Sequence, residues 1–332
     1  MIGTAQADRP VSITGLGCRV PDRVVTNDEL ATFVDTSDEW ILERTGIRER
    51  RFADESEALS DLALPACHAA LAQAGLEGVD IDLLIVATVT PDMMFPSTAA
   101  VLADRLGAAA AAAYDLSAGC TGFVYGVAQA YGMLASGLAH RALVVGGDVL
   151  SRILDWDDRS TLVLFGDGAG AVVLEASAEP GFIGFELGAD GGGGENLWLP
   201  GSGSRVFDTT EKYVKMNGRE VFRFATRILV QSAEELLEQC EVSIDDVDLY
   251  IPHQANMRII DHATKKLGVA PDRVVINVDR FGNTSSGSIP LALADAAADG
   301  RLRPGTLVLM TGMGAGLTWG SALIRWTKEM AA

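Results

Sequence analysis

The sequence predicts an α/β protein built from two similar halves, and two observations support this prediction. Apolar segments typical of buried strands alternate with segments of helical periodicity, as expected for sheets that helices cover on both faces. Three short motifs also recur in the same order, separated by 163 to 166 residues: 82–85 with 248–251, 119–121 with 282–284, and 143–145 with 307–309. This spacing indicates an internal duplication of a strand–helix unit. We therefore expect two halves, residues 1–175 and 176–332.

The first half begins with elements that apolar spacing and capping residues define. Ser37 or Asp38 can cap a helix that carries Trp40 and Arg44. The other predicted elements, in order, are a strand over 11–16, a helix near 27–33, a basic loop over 45–51, a helix over 59–74, a strand over 82–88, a helix that ends near residue 107, a strand over 142–145, and a glycine-rich segment over 165–174 that leads into a strand.

The second half follows the same alternation after a glycine-rich boundary. Residues 181–203 contain many glycines and predict a flexible loop or hairpin. The remaining predicted elements are a helix over 218–240 and strands over 247–251, 274–278 and 307–309. The glycine clusters at 166–170 and 312–316 lead into strands rather than helices, so we expect close backbone packing there rather than a nucleotide loop.

Cys120 stands where a short strand turns into the helix that apolar spacing predicts beyond residue 121. Backbone N–H groups at the first turn of a helix favour a negative charge, so this setting predicts a reactive thiolate. The alternative is a buried structural cysteine, since free cysteine usually behaves as a small hydrophobe. The choice depends on whether a base and an oxyanion partner exist elsewhere in the chain.

Two polar residues in the second half are candidate partners of this cysteine. His253 follows the predicted strand over 247–251, and Asn283 follows the predicted strand over 274–278. Loops at the carboxyl ends of strands line the ligand crevice in such sheets, so both side chains are expected to face Cys120. Alone, His253 could be a structural residue and Asn283 a turn residue, whereas the three together are far more specific.

Composition narrows the class of protein further. The net charge of −19 argues against a nucleic-acid partner, and no apolar run is long enough to span a membrane. The first ten residues lack the pattern of a secretion signal. The four cysteines are scattered without a CxxC pair, which argues against a metal site and against disulfides. A cytoplasmic location follows as an expectation.

Seven motifs spread over nearly the whole chain closely resemble the thiolase-fold condensing enzymes, and within them the β-ketoacyl-[acyl-carrier-protein] synthases III. They are TSDEW at 36–40, RTGIR at 44–48, GCTG at 119–122, FGDGAG at 165–170, PHQAN at 252–256, GNTS at 282–285 and LTWG at 317–320. The resemblance implies a layered αβαβα fold. It also implies condensation of an acyl-CoA primer with malonyl-acyl-carrier protein, which initiates fatty-acid synthesis without a further cofactor.

The resemblance also assigns roles to individual residues of this chain. Cys120 would accept the acyl group, while His253 and Asn283 would bind the carbonyl of the malonyl thioester. The backbone N–H groups of Cys120 and Ala315 would form the oxyanion hole. The remaining assignments are CoA contacts at Trp40, Arg44, Arg152, Gly218 and Asn256, an acyl pocket at Phe95 and Met313, and carrier-protein docking at Arg223, Arg258, Lys265 and Lys266.

The sequence is compatible with three hypotheses about the function. The first is the fatty-acid priming enzyme, which the resemblance implies to be a homodimer with Phe95 near the partner's acyl pocket. The second is a polyketide starter-unit synthase or acyltransferase of the same fold. The third is an inactive scaffold, which an intact Cys120, His253 and Asn283 disfavours.

Overall fold

The computed structural model describes residues 9–201, 203–206 and 210–328. Thirteen strands occur in this part of the chain: β1 Val11–Arg19, β2 Val24–Thr26, β3 Glu49–Arg51, β4 Leu83–Ala87, β5 Ala112–Leu116, β6 Arg141–Asp148, β7 Gly168–Ala176, β8 Phe182–Ala189, β9 Leu197–Trp198, β10 Lys215–Met216, β11 Leu249–Pro252, β12 Leu307–Gly314 and β13 Thr318–Arg325.

Ten α-helices accompany these strands in the same part of the chain: α1 Asn27–Leu30, α2 Asp38–Thr45, α3 Leu59–Ala74, α4 Thr98–Leu106, α5 Gly122–Ala135, α6 Arg159–Leu162, α7 Gly218–Gln239, α8 Met257–Leu267, α9 Val278–Phe281 and α10 Ser288–Ala298. Helices α2, α3, α4 and α7 end within one residue of the predicted positions. Gly46, Gly107 and Gly268 follow α2, α4 and α8 with φ near +70°, a conformation that glycine adopts without steric cost. None of the described helices is long and apolar enough to cross a membrane.

The two main sheets repeat one strand order, which confirms the predicted duplication. The first sheet runs β1-β7-β6-β4-β5, and the second runs β8-β13-β12-β11. The pair β6–β4 of the first sheet and its equivalent β12–β11 of the second are both parallel, and the pairs that precede them in each sheet are antiparallel. In the first sheet β5 adds a further parallel pair with β4. The division at residue 175 stays a prediction; it falls one residue before the end of β7.

Helices α5 and α10 pack between the two sheets. Phe123, Val127 and Leu134 of α5 and Ile289 and Leu293 of α10 share one buried cluster with residues from both sheets. Helices α3 and α4 cover the outer face of the first sheet, and α7 and α8 cover the second. Five layers result, in the order helix, sheet, helix, sheet, helix, as the resemblance implies.

Four predicted elements differ from the observed ones. The segment 181–203 is not wholly a loop or hairpin, because residues 182–189 form β8, which pairs with the distant strand β13. The segment 45–51 is not wholly a loop, because β3 pairs with β2. Residues 274–278 form no strand, and the predicted helix near 27–33 ends at Leu30. In the second sheet, a single parallel bridge joins Val274 to Tyr250 of β11. This bridge takes the position beside β11 that β5 takes beside β4 in the first sheet.

Candidate active site

Cys120 lies in a single 3₁₀ turn, Gly119–Thr121, directly before α5. The end of β12 approaches this turn so closely that glycine is required on both sides. A Cβ atom on Gly314 would lie 2.3 Å from the Cys120 nitrogen, and one on Gly119, whose φ is +56°, would lie 2.6 Å from the Ala315 nitrogen. The glycines therefore allow close backbone packing beneath the cysteine, as the sequence predicts.

The backbone N–H groups of Cys120 and Ala315 both face the Cys120 sulfur, and both lower the pKa of the thiol. Two converging donors of this kind are what an oxyanion hole needs. Thr318 fixes the turn, since its hydroxyl donates to the carbonyl of Ala118 over 2.7 Å. The structure thus brings together the two predicted oxyanion donors.

Burial decides the protonation state of this cysteine. It raises the pKa of the Cys120 thiol to about 11, against the lowering effect of Ser285 and the two N–H groups, and the Asp148 charge raises it further. Burial therefore opposes the thiolate that the helix start is expected to favour. The thiol is protonated near neutral pH, because desolvation outweighs the hydrogen bonds.

His253 follows β11 and is fixed by its backbone, whose N–H donates to the Thr311 carbonyl over 2.7 Å. The imidazole is buried, and neither ring nitrogen has a hydrogen-bond partner among the described residues. Burial lowers the pKa of His253 to about 3. The ring is therefore neutral, with one N–H donor and one acceptor available to a substrate.

Asn283 is held by backbone hydrogen bonds rather than by a strand. Its N–H donates to Leu164 over 2.8 Å, and its carbonyl accepts from Gly166 over 3.0 Å. Its side-chain Oδ1 accepts from the N–H of Ser285 over 2.9 Å. This bond leaves the Nδ2 amino group as the free end of the side chain, which can only donate.

One cavity of about 370 Å³ brings these three residues together. Five residues predicted for CoA binding or the acyl pocket also line it, namely Trp40, Arg44, Gly218, Asn256 and Met313. Arg258, predicted for carrier docking, also lines this cavity, and its guanidinium carbon lies 5.4 Å from the centre of the Phe222 ring.

A second, apolar cavity of about 130 Å³ meets the first at Cys120. Its wall consists mainly of aliphatic and aromatic side chains: Val89, Leu150, Ile153, Leu154, Phe165, Leu197, Trp198, Leu199 and Val214. The predicted acyl-pocket residues are not among its lining. Met313 lines the larger cavity instead, and Phe95 is 84% exposed on the surface. Apart from Phe165, which begins the FGDGAG motif, the sequence motifs gave no signal for this wall, because its residues come from five separate segments.

The structure separates other predicted residues from the site. Arg152 does not line the larger cavity, and its guanidinium donates to the carbonyls of Asp54 and Glu57. Arg223 pairs with Glu220 over 2.6 Å and lines a different depression. Lys265 and Lys266 are exposed in the last turn of α8.

Arg159 is a residue that sequence reasoning missed. Its guanidinium carbon lies 4.9 Å from the centre of the Trp40 ring, and that of Arg44 lies 4.4 Å away. Two guanidinium groups over one indole make the rim of the cavity an electropositive, aromatic surface. The neighbouring residue Ser160 lines the cavity. Nothing in the sequence pattern around Arg159 indicates that it lies near Trp40.

A buried cysteine beside a neutral histidine and an asparagine, at the junction of two duplicated halves, defines a thiolase-fold condensing enzyme. Over 96% of its length the chain is 53% identical to the β-ketoacyl-[acyl-carrier-protein] synthase III of Symbiobacterium thermophilum, covering 99% of that protein. The enzyme of the same name from Desulfitobacterium hafniense is 50% identical over 96% of this chain and 98% of its own. The chain therefore belongs to the β-ketoacyl-[acyl-carrier-protein] synthase III family and is an acyltransferase.

Family models and solved structures agree with this assignment. Residues 114–191 match the model of 3-oxoacyl-[acyl-carrier-protein] synthase III, and residues 237–326 match that of its C-terminal part. The synthase III of Thermus thermophilus is 47% identical, with a TM-score of 0.90 over 95% of this chain and 99% of that one. The priming β-ketosynthase of the R1128 polyketide pathway is 36% identical, with a TM-score of 0.92 over 97% of both chains.

Proposed function

We propose that the enzyme transfers the acyl group of an acyl-CoA primer to Cys120 and condenses it with malonyl-acyl-carrier protein. The products are 3-ketoacyl-acyl-carrier protein, carbon dioxide and CoA, so the reaction initiates fatty-acid synthesis. The observation that supports this best is that Cys120, His253 and Asn283 line one cavity. The reaction needs no further cofactor, because loss of carbon dioxide from the malonyl group supplies the attacking carbanion.

In the first half-reaction, the Cys120 sulfur attacks the thioester carbonyl of the primer. The N–H groups of Cys120 and Ala315 hold the negative oxygen of the tetrahedral intermediate. A thiol with a pKa near 11 does not give its proton to an imidazole with a pKa near 3 at rest. The proton therefore leaves only as the C–S bond forms, and it ends on the departing CoA sulfur.

In the second half-reaction, the malonyl thioester loses carbon dioxide and its carbonyl becomes an enolate. The neutral ring of His253 donates one N–H to the enolate oxygen, and the Asn283 amide donates another. The enolate carbon then attacks the acyl carbonyl, and the C–S bond to Cys120 breaks. The released thiolate takes up a proton and regenerates the thiol.

The second cavity supports a short acyl primer. It is apolar, and its volume of about 130 Å³ is close to that of an engineered apolar cavity that binds benzene, a ligand of six carbon atoms. We therefore propose primers with up to about six carbons beyond the carbonyl, linear or branched. Chains of twelve or more carbons exceed this space.

The rim of the larger cavity suits the nucleotide part of CoA. Trp40 offers an aromatic face to the adenine, and Arg44 and Arg159 bring positive charge to the phosphates. Gly218 and Asn256 line the passage towards Cys120, where the pantetheine arm would lie. Arg152, with its hydrogen bonds elsewhere, has less support as a CoA contact.

Carrier protein would dock near Arg258 at the cavity and the exposed Lys265 and Lys266 on the same helix, with Arg223 less available. A homodimer would cover the exposed Phe95 and its apolar neighbour Met94. The free cysteines fit a reducing cytoplasm.

A primer panel tests this function directly. Purified enzyme is incubated with malonyl-acyl-carrier protein and acyl-CoA primers from two to sixteen carbons, and the ketoacyl product is measured by mass. We expect product with short primers and none with the longest. Transfer of acyl groups without release of carbon dioxide would instead favour the acyltransferase alternative.

The polyketide alternative is supported by the similarity to the R1128 priming ketosynthase, and a preference for a polyketide carrier protein would favour it.

A further inference from the structure

A buried arginine lies directly behind the catalytic loops. Arg50, on β3, has 0% of its surface exposed. Its neighbour Arg51 pairs with Glu49, whereas no salt bridge of Arg50 is found among the described residues. Burial lowers the pKa of Arg50 to about 10, so the group keeps its charge near neutral pH. Because an unpaired buried charge is costly, the hydrogen bonds of this guanidinium indicate its role.

The guanidinium donates to two separate parts of the fold. One nitrogen, Nη1, donates to the Val25 carbonyl over 3.2 Å and to Asn27 Oδ1 over 2.8 Å. The other, Nη2, donates to the Val163 carbonyl over 3.0 Å. Arg50 therefore ties the start of α1 to the segment that follows α6.

The second of these contacts leads to Asn283. Val163 begins the segment whose next residues, Leu164 and Gly166, hold the backbone of Asn283 by two hydrogen bonds. Cβ atoms on Gly166 and Gly282 would lie 3.1 Å and 3.3 Å from the Cβ of Arg50. The arginine stem thus packs against the glycines that flank the Asn283 contact.

The first contact leads to the rim of the cavity. The amide of Asn27 donates to Asp38 Oδ1 over 2.8 Å and to the Ile47 carbonyl over 2.8 Å. Asp38 is the first residue of α2, the helix that carries Trp40. The chain of hydrogen bonds Arg50–Asn27–Asp38 therefore connects the Asn283 loop with the helix that bears the proposed adenine contact.

We propose that Arg50 is a positioning residue, which fixes Asn283 for decarboxylation and, through Asn27 and Asp38, fixes α2 for the primer. This inference rests on the proposed function. It predicts that loss of the guanidinium impairs both half-reactions in different ways. The condensation rate falls because Asn283 moves, and the Michaelis constant for acyl-CoA rises because α2 moves.

Arg50→Met tests whether Arg50 positions Asn283, with Arg51→Met as the matched control on the same strand. Rates are divided by the amount of acylated enzyme, so that unfolded protein does not count. We expect condensation by Arg50→Met to fall about tenfold to a hundredfold, the scale of a misplaced catalytic group, and Arg51→Met to stay near the parental rate. Arg50→Lys restores the charge with fewer donors and should recover part of the loss.

Asp38→Ala tests whether the hydrogen bond from Asn27 positions α2, and it leaves the buried arginine in place. Its control is Glu39→Ala, which removes another acidic residue from the same first turn. We expect Asp38→Ala to raise the Michaelis constant for acyl-CoA about fivefold or more, with the condensation rate of the acylated enzyme unchanged, and Glu39→Ala to raise it less. This arm also remains measurable if Arg50→Met does not fold.

Parental condensation by acylated Arg50→Met would overturn the inference, as would equal effects of Asp38→Ala and Glu39→Ala. Failure of the proposed function looks different, because the parental enzyme itself would then form no ketoacyl product. If the rates of acylation and condensation by Arg50→Met fall only in proportion to its loss of folded protein, Arg50 has a purely structural role.

Discussion

The N–H of Ser285 donates to Asn283 Oδ1 over 2.9 Å, and this bond orients the side-chain amide of Asn283. With Oδ1 occupied, the Nδ2 group is the end of the side chain that remains to donate to a developing enolate. Ser285 itself has a φ of +51°, which is uncommon for a residue with a side chain. The backbone at this turn is thus adapted to direct one amide.

Asn283→Asp should abolish condensation while Cys120 still accepts an acyl group. The carboxylate would replace a donor with a negative charge that faces the enolate oxygen. Loss of one such donor costs about 3 kcal/mol, or on the order of a hundredfold in rate, and the repulsion adds to this. Product formation and acyl-enzyme mass are measured side by side, with Asn196→Asp as a control outside this cavity. Near-parental condensation by Asn283→Asp would reject the enolate role.

The buried His253 should make the protein sensitive to acid. Its pKa of about 3 lies below the usual value, so the unfolded chain binds a proton that the folded chain does not. The contribution of the neutral His253 to the free energy of unfolding is therefore fully present above about pH 6.5. It is lost as the pH falls towards 3, by about 1.4 kcal/mol per pH unit. His253→Gln should flatten this dependence in urea unfolding, and His262→Gln, an exposed site, should not. An equal slope in His253→Gln and the parent would contradict the buried, neutral ring.

The raised pKa of Cys120 predicts how the free enzyme reacts with an alkylating agent. Because the thiolate fraction grows tenfold per pH unit below a pKa of about 11, alkylation of Cys120 should keep accelerating from pH 7 to pH 10. The rate is followed by peptide mass with iodoacetamide, and Cys240 provides an internal reference that is less buried. A plateau below pH 8 would show a thiolate already formed at neutral pH.

The carrier-protein surface should be separable from the primer site. Reversal of charge at Lys265 and Lys266 should raise the Michaelis constant for malonyl-acyl-carrier protein and leave acylation by acyl-CoA unchanged. The effect should weaken with salt, since exposed charges are screened beyond about 8 Å at physiological ionic strength. Arg303→Glu changes a charge in the loop before β12 and serves as the control. Equal effects on both half-reactions would contradict a docking role for the two lysines.

Local signals in the sequence predicted most of the fold and singled out Cys120, His253 and Asn283, which line one cavity in the structure. The helix over 59–74, for example, has the same bounds in the structure as in the prediction. Strand β8 was missed because its glycines suggested a loop, whereas its pairing with β13 is distant in sequence. Residues 274–278 have a strand-like composition but form only the Val274 bridge. Composition alone cannot show which apolar segments find a partner strand.

Residues whose role depends on distant contacts could not be found from the sequence. Arg50 looks like part of a basic loop, and its burial depends on the space that Gly166 and Gly282 leave. Arg159 meets Trp40 only after the fold brings α6 beside α2. The pKa of Cys120 likewise depends on desolvation by the whole site, which outweighs the local helix start.

Above all, the proposed function requires Cys120 to be the residue that carries the acyl group. Incubation with a short acyl-CoA alone, followed by intact-protein mass measurement, tests it most directly. The parental protein should gain the mass of one acyl group, and so should His253→Ala and Asn283→Asp, whereas Cys120→Ala should gain none. Acylation of Cys120→Ala to the parental level would contradict the claim and assign the nucleophile to another residue.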